Sequence, residues 1–162
     1  MKLAVSILFI CFCTAFLPEL SELRTAYIKA SENKEATALL FKELAEVKKT
    51  DDKVLVAYKG AVLTLMAKYT KGKQEKKSYF KEGAAMLNFA ANANPNNIEI
   101  RVLRMSVQEN TPKFLKFQQN LAEDKQFIID HFGTTSSNEV KVFVRSFIQQ
   151  SNSFTSEEKD LF

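Results

Sequence analysis

Apolar side chains recur along most of this chain at intervals of three and four residues, the spacing that places them on one face of an α-helix. The clearest series starts just after Asp51 and continues without a break for more than four turns. It predicts a long amphipathic helix, capped at its N-terminus by Asp51. The expected inward residues are Val54, Leu55, Tyr58, Ala61, Val62, Leu65, Met66 and Tyr69.

Shorter series on both sides of this helix predict three more helices, over residues 19–30, 31–48 and 76–92. Ser31 is expected to cap the second of them. The run from Asn94 to Asn97 is a turn by composition. The expected inward residues are Leu20, Leu23, Tyr27 and Ile28 in the first, Leu39, Leu40, Leu44 and Val47 in the second, and Tyr79, Phe80, Gly83, Leu87, Ala90 and Ala91 in the third.

Two later segments, residues 98–104 and 140–148, have patterns that fit either a strand or a helix. In each of them the branched apolar residues alternate, but apolar residues also continue at helical spacing for longer than a strand would. We therefore favour helices for both. The alternating residues are Ile98, Ile100 and Val102 in the first segment, and Val140, Val142 and Val144 in the second.

The remaining segments also read as helices. Pro112 is suited to the first position of a helix, and residues 121–132 are predicted to form another that ends at Gly133. Thr155 and Glu158 have the spacing of a capping box. The residues expected inward after Pro112 are Phe114, Leu115 and Phe117. No linker divides the series, so we predict a single all-α domain of about 6–8 stacked antiparallel helices.

Gly60 and Gly83 lie inside two of the predicted helices, where each costs about 1 kcal/mol relative to Ala. Both stand beside apolar positions on consecutive helices. We expect these helices to form an antiparallel hairpin in which the two glycines permit close approach.

Residues 53–97 resemble a helical hairpin of a tetratricopeptide repeat. The resemblance is carried by a small residue, a large apolar residue, an alanine and a proline at the repeat's spacing, namely Gly83, Leu87, Ala90 and Pro95. It implies an array of stacked helices that binds other proteins, with an irregular helical array as the alternative. The sequence departs from the repeat because no Trp or Leu-Gly pair precedes Gly60, and because the pattern occurs once.

The chain also resembles exported helical proteins of Gram-negative bacteria whose activities are uncharacterised. The segment that carries this likeness is Asn94-Pro95-Asn96-Asn97-Ile98-Glu99-Ile100-Arg101. The likeness implies export and a helical fold, and it brings no activity with it.

The first residues are organised like a secretory signal peptide. A basic start at Lys2 precedes an uncharged run over residues 3–17, shorter than the roughly 20 residues that span a bilayer. Cys13 and Ala15 are suitably small for a cut after Ala15. We expect residues 1–15 to be removed on export, with an uncleaved anchor as the alternative. Residues 16–162 would then form one domain, without a transmembrane span, in the periplasm or outside the cell.

Composition and charge exclude some kinds of functional site and indicate where another could lie. The mature chain would contain no Cys, since Cys11 and Cys13 both lie in the signal segment, and so no disulfide or thiol nucleophile. The overall net charge of +4 conceals a local excess, because residues 48–81 hold 10 Lys against 3 acidic residues, a net charge of +7.

This lysine-rich region is one of two candidate binding sites. Lys71, Lys73, Lys76 and Lys77 are expected to attract an anionic partner, although lysines also keep an exposed helix connection soluble. Nucleic acid is disfavoured because the chain is expected to be exported and because residues 71–77 contain no Arg and no aromatic residue.

The second candidate site is formed by Arg101 and Arg104, which share a helix face. They would either line a groove that recognises an anion or form ion pairs between helices. Ion pairing is the structural alternative that the apolar surroundings favour, with Glu99 as a further member of the group.

No catalytic, metal or cofactor site is predicted. A single imidazole, His131, stands where a helix ends, and a cation is favourable there. Neither a phosphate-binding glycine loop nor a nucleophile elbow is present. We therefore expect an exported interaction or scaffold module that is not an enzyme and binds another protein or an anionic surface. The alternatives are a receptor for an anionic ligand and, less favoured, a carboxylate-dependent hydrolase.

Overall fold

A computed structural model describes residues 19–162, and in this range it contains eight α-helices and no strand. The helices are α1 (Leu20–Glu32), α2 (Lys34–Glu43), α3 (Lys53–Tyr69), α4 (Lys73–Ala93), α5 (Ile98–Asn110), α6 (Leu121–His131), α7 (Asn138–Gln150) and α8 (Ser156–Lys159). A short 3₁₀-helix, Lys113–Leu115, lies between α5 and α6. The predicted all-α class is confirmed, and both ambiguous segments lie in helices. The expected signal peptide falls outside the described residues.

Side-chain caps determine where several of these helices begin. Asn33 accepts a hydrogen bond from the backbone of Ala36, and Asp52 accepts one from Val54. The expected caps Ser31 and Asp51 were therefore wrong by one or two residues. Asp51 instead accepts a hydrogen bond from Lys48 N at 2.7 Å, which closes the turn before α3. The predicted capping box at Thr155 is present.

Contacts between helices establish the direction in which each one runs. Arg24 and Tyr27 of α1 bind Glu99 and Ser106 of α5 in the same order along both helices, so α1 and α5 are parallel. α3 runs with them, because Tyr58 near its start also binds Glu99. Near its end, Lys68 donates to the backbone oxygen of Ser31, and α2 turns back at Asn33 just beyond this contact.

α4 and α6 run in the opposite direction. Gly60 faces Leu87, and Thr64 faces Gly83, so α3 and α4 are antiparallel. Gln118, just before α6, donates to the backbone of Thr111, which follows α5. The α3–α4 connection and the longer α5–α6 connection therefore lie at the same end of the array.

α3 is the central helix of this array, because it packs against α1, α2, α4 and α5. Most of its residues from Val54 to Leu63 are buried. The core extends from it to Leu23 on α1 and to Ile148 on α7, so the described residues form one continuous hydrophobic cluster. No helix in residues 19–162 is long and apolar enough to cross a membrane.

Gly60 and Gly83 lie in direct contact, as the sequence predicted. A Cβ atom at Gly83 would lie 2.5 Å from the backbone oxygen of Gly60, and a Cβ atom at Gly60 would lie 2.9 Å from the backbone oxygen of Gly83. No side chain fits at either distance, so the glycines allow the backbones of α3 and α4 to touch.

Some residues expected to face inward are exposed. Ile28 is 40% exposed because it lies at the edge of the buried face of α1, which is formed by Leu23, Arg24, Tyr27 and Ala30. Leu39 is 62% exposed because Thr37 and Leu40 occupy the buried face of the short helix α2.

The segment after Pro112 departs further from its predicted structure. It forms one 3₁₀ turn in place of a helix, and only Phe117 of the three expected residues is buried. Phe114 is 80% exposed and Leu115 is 40% exposed.

Replacing Gly83 by Ala should lower the free energy of unfolding by about 1–3 kcal/mol, because the methyl group forces α3 and α4 apart. Chemical denaturation followed by circular dichroism measures this loss. Gly133→Ala is the matched control, since a Cβ atom there meets nothing within 4 Å. Its stability should stay within about 0.5 kcal/mol of the parent. Similar losses in both variants would contradict the close contact.

Candidate functional site

The structure places the predicted binding residues in two separate groups. Lys71, Lys73, Lys76 and Lys77 lie at the N-terminal end of α4 and just before it, whereas Arg101 and Arg104 lie on α5, close to the turn that follows α4. From Lys77 to the end of α4 the helix extends about 25 Å at its rise of 1.5 Å per residue. The lysines and the arginines therefore cannot contact one small ligand together.

The lysine group forms a projecting surface, which we call the basic tip and define as residues 71–77. Every residue from Lys71 to Lys77 is exposed, and the first buried residue of α4 is Gly83. In the part of the chain that the structure describes, none of the four lysines of the tip lies within 4.0 Å of a carboxylate. Their charges are thus presented to solvent.

Backbone groups add to the positive potential of the basic tip. Gly72 occupies the N-cap position of α4 and has no side chain to accept a hydrogen bond from the first turn. The first amide groups of α4 therefore point outward without a cap, and the helix dipole is positive at this end. Glu75 is the single acidic residue in the tip. The basic tip therefore presents a positive potential to solvent.

The arginine group is arranged differently, because its charges are already paired inside the protein. Arg104 donates from Nε and Nη2 to the two carboxylate oxygens of Asp124, at 2.7 and 2.6 Å. Arg101 donates to Asp124 at 2.8 Å, to Glu123 at 2.6 Å and to the backbone oxygen of Pro95 at 3.0 Å. The Asp124 side chain is fully buried, so one carboxylate on α6 fixes both arginines of α5.

The pairing changes the pKa of Arg101 and of Glu123. Burial lowers the pKa of Arg101, but its hydrogen bonds to Asp124 and Glu123 outweigh that effect and raise the pKa overall. The same hydrogen bond from Arg101, together with one from Asn120, lowers the pKa of Glu123. Both guanidinium groups are thus bound within the protein by carboxylates of α6.

Glu99 belongs to a second buried cluster on another side of α5. Its carboxylate accepts hydrogen bonds from Arg24 Nε at 2.9 Å, from Arg24 Nη2 at 3.0 Å and from the Tyr58 hydroxyl at 2.7 Å. Burial and the charge of Glu99 raise the pKa of Tyr58, so its phenol remains a neutral donor. The bonds to Glu99 raise the pKa of Arg24.

The sequence reasoning missed Arg24 and Asp124 as members of these clusters. Arg24 could have been found, because it stands at an apolar position of α1, four residues after Leu20 and three before Tyr27. The sequence did not distinguish Asp124 from its neighbour Glu123, because both residues are acidic. The structure buries Asp124 and leaves Glu123 on the exposed side of α6.

Other groups in the described residues show no arrangement for chemistry. No cluster of three or more His, Cys, Asp or Glu in residues 19–162 could hold a metal ion. His131 stacks on Phe127 with ring centroids 3.9 Å apart, and its Nδ1 contacts the Phe127 backbone oxygen. A shallow cleft of about 340 Å³ beside α4 is lined by a single carboxylate, from Glu82.

Comparison of this chain with family models, with curated proteins and with solved structures gave no match.

Asp124 binds both arginines, whereas its neighbour Glu123 binds only one of them, Arg101. Substitutions at these two residues should therefore differ in their effect on the stability of the fold. Asp124→Asn should lower the free energy of unfolding by about 3–5 kcal/mol, because it leaves two buried guanidinium groups short of a counter-charge. Glu123→Gln is the matched control and should cost less than about 1 kcal/mol, because that side chain is exposed. Urea denaturation compares the two, and equal losses would show that Asp124 does not anchor the arginines.

Proposed function

We propose that this chain is a non-catalytic interaction module, exported from the cytoplasm, which binds an anionic partner through the basic tip. The observation that carries the proposal is the projection of Lys71, Lys73, Lys76 and Lys77 beyond the core without acidic partners. Charge of one sign that a protein leaves unpaired on a projecting element is available to a partner of the opposite sign.

The type of side chain indicates what kind of recognition is involved. Each Lys is a point charge on a flexible stem, whereas Arg presents a planar fork that fits one phosphate or carboxylate group. The arginines of α5 are held by Asp124 and Glu123, so their forks are occupied. The proposed partner is therefore a surface with many negative charges rather than one small anion held in a pocket.

The arrangement of the helices also supports a binding role. α3 and α4 form a hairpin in which Gly60 and Gly83 are in contact. The first turns of α4, which precede its first buried residue Gly83, hold the basic tip away from the core. The resemblance of residues 53–97 to a tetratricopeptide-repeat hairpin points the same way, because such hairpins serve as binding scaffolds. Export rests on the signal-like residues 1–15.

The test measures binding of the full chain to two polyanionic probes, polyglutamate and vesicles that contain phosphatidylglycerol. We expect binding to at least one probe at about 0.01 M salt, and a steep loss by about 0.15 M, where the screening length is near 8 Å. The triple variant Lys73→Glu, Lys76→Glu, Lys77→Glu should weaken that binding by about tenfold or more, since each charge near an anionic surface contributes about 1 kcal/mol.

A second triple variant controls for the change in overall charge. Lys42→Glu, Lys48→Glu and Lys49→Glu alter the net charge by the same amount, but these exposed lysines lie at the opposite end of α3. This variant should retain most of the binding. Equal losses in both triples, or no binding to either probe at low salt, would refute the proposal.

A further inference from the structure

Between α5 and α6 the chain presents two large apolar side chains to solvent, on a turn that we call the KFLK turn. It consists of Lys113, Phe114, Leu115 and Lys116. Phe114 is 80% exposed and Leu115 is 40% exposed. The two apolar residues are adjacent and have a lysine on each side. No other large hydrophobic residue in the described part of the chain is as exposed as Phe114.

The backbone of the KFLK turn is ordered, so the exposure of Phe114 is a fixed feature of the fold. Leu115 N donates to Pro112 O at 3.0 Å, and Lys116 N donates to Lys113 O at 3.1 Å. Lys116 then adopts a left-handed conformation, with φ of 52°. Residues other than Gly rarely adopt this backbone conformation, because it costs of the order of 1 kcal/mol or more.

Both ends of the connection are fastened to the core. Before the turn, the Thr111 hydroxyl donates to Val107 O at 2.6 Å. After it, Phe117 is buried and packs edge-to-face on Phe80 of α4, with ring centroids 5.8 Å apart. The segment thus buries its second aromatic residue, Phe117, while Phe114 remains exposed.

The KFLK turn lies beside the basic tip. Phe80, which Phe117 contacts, follows Lys77 on α4 by three residues, or about 5 Å along the helix. Residues 110–120 contain no acidic residue. The nearby carboxylate of Glu109 is bound by the hydroxyl groups of Ser151 and Ser153. Two exposed apolar residues are therefore surrounded by positive charge on one end of the molecule.

The properties of this end favour a lipid bilayer over a protein as the partner. A stable protein interface buries about 800 Å² on each side around aromatic anchors in fitted pockets. The exposed apolar surface of the KFLK turn consists of two side chains, those of Phe114 and Leu115. A bilayer interface accepts a Phe-Leu pair without a matching shape, while lysine stems extend to the headgroups. Anionic headgroups complement the lysines of the turn and of the basic tip.

We propose that the KFLK turn inserts Phe114 and Leu115 into the interfacial region of an anionic membrane, with the basic tip bound to the headgroups beside it. This inference rests on the proposed function and names the partner class for the same end of the molecule. Binding is peripheral and reversible, because two apolar side chains and a few lysines provide limited affinity.

The chain contains no Trp, so a single Phe114→Trp substitution provides an unambiguous optical probe. In the full chain, vesicles of phosphatidylcholine and phosphatidylglycerol in equal amounts should shift the Trp emission to the blue. Lipids brominated near the headgroup should quench it. Val142→Trp is the matched control, since Val142 is 64% exposed in the middle of α7. Its emission should not change, and vesicles of phosphatidylcholine alone should affect neither variant.

A second variant tests the contribution to affinity. Phe114→Ser combined with Leu115→Ser should reduce vesicle binding by about 100-fold, since each of the two buried apolar side chains contributes about tenfold or more. Its binding to polyglutamate should stay unchanged. Both substituted residues are exposed, so the fold is retained, and circular dichroism verifies this.

The possible outcomes separate this inference from the proposed function. A blue shift at position 114 alone supports both. Salt-sensitive vesicle binding without a shift or quenching at position 114 overturns the inserted turn but leaves the electrostatic function standing. Binding to polyglutamate without binding to vesicles likewise rejects the membrane and favours an acidic protein. Failure to bind either probe overturns both.

Discussion

The fold depends on the burial of one carboxylate, that of Glu99. A charged group in the interior is tolerated only when it is fully hydrogen-bonded and paired. Glu99 meets this requirement by accepting hydrogen bonds from Arg24 on α1 and Tyr58 on α3. Arg24 extends the cluster to α7 through Glu139 at 2.8 Å. The parallel helices α1, α3 and α5, together with α7, are thus joined by directional bonds, which hydrophobic contacts alone would not specify.

The register of these helices determines which parts of the chain meet at each end of the array. Since α3 and α5 run in the same direction, the connections that follow them emerge together. On another side of α5, Arg101 and Arg104 bind Asp124 of α6 and fix the start of that helix. Buried charge therefore organises the helices, whereas the lysines of the basic tip lie outside the core.

Helical periodicity was sufficient to predict much of this structure. The long apolar series of α3 and the Gly60–Gly83 contact follow from local spacing, because a helix repeats its faces regularly. Burial was predicted less well where a polar contact competes. The buried face of α1 includes Arg24, and Ile28 lies at the edge of that face. The apolar pattern shows that Arg24 stands at an apolar position, but it does not identify its partner Glu99, which lies 75 residues away.

The candidate surface was predictable only in part for the same reason. The lysines of the basic tip were visible as a charge excess in residues 48–81. The exposure of Phe114 was not, since its spacing fits a buried helix face and the decisive factor is the short turn that ends at Lys116. Whether Arg101 and Arg104 were free or paired depended on where α6 packs.

The overhang of α4 has a consequence for the order of that helix. From Lys73 to Ser78 all six residues are exposed, so this end is maintained by its own backbone hydrogen bonds and not by packing. Lys73 repels Lys76 and Lys77 at helical spacing, and all three oppose the positive end of the helix dipole. A counter-anion relieves both effects at once. Binding of an anion at the tip would therefore be thermodynamically linked to the stability of the first turns of α4.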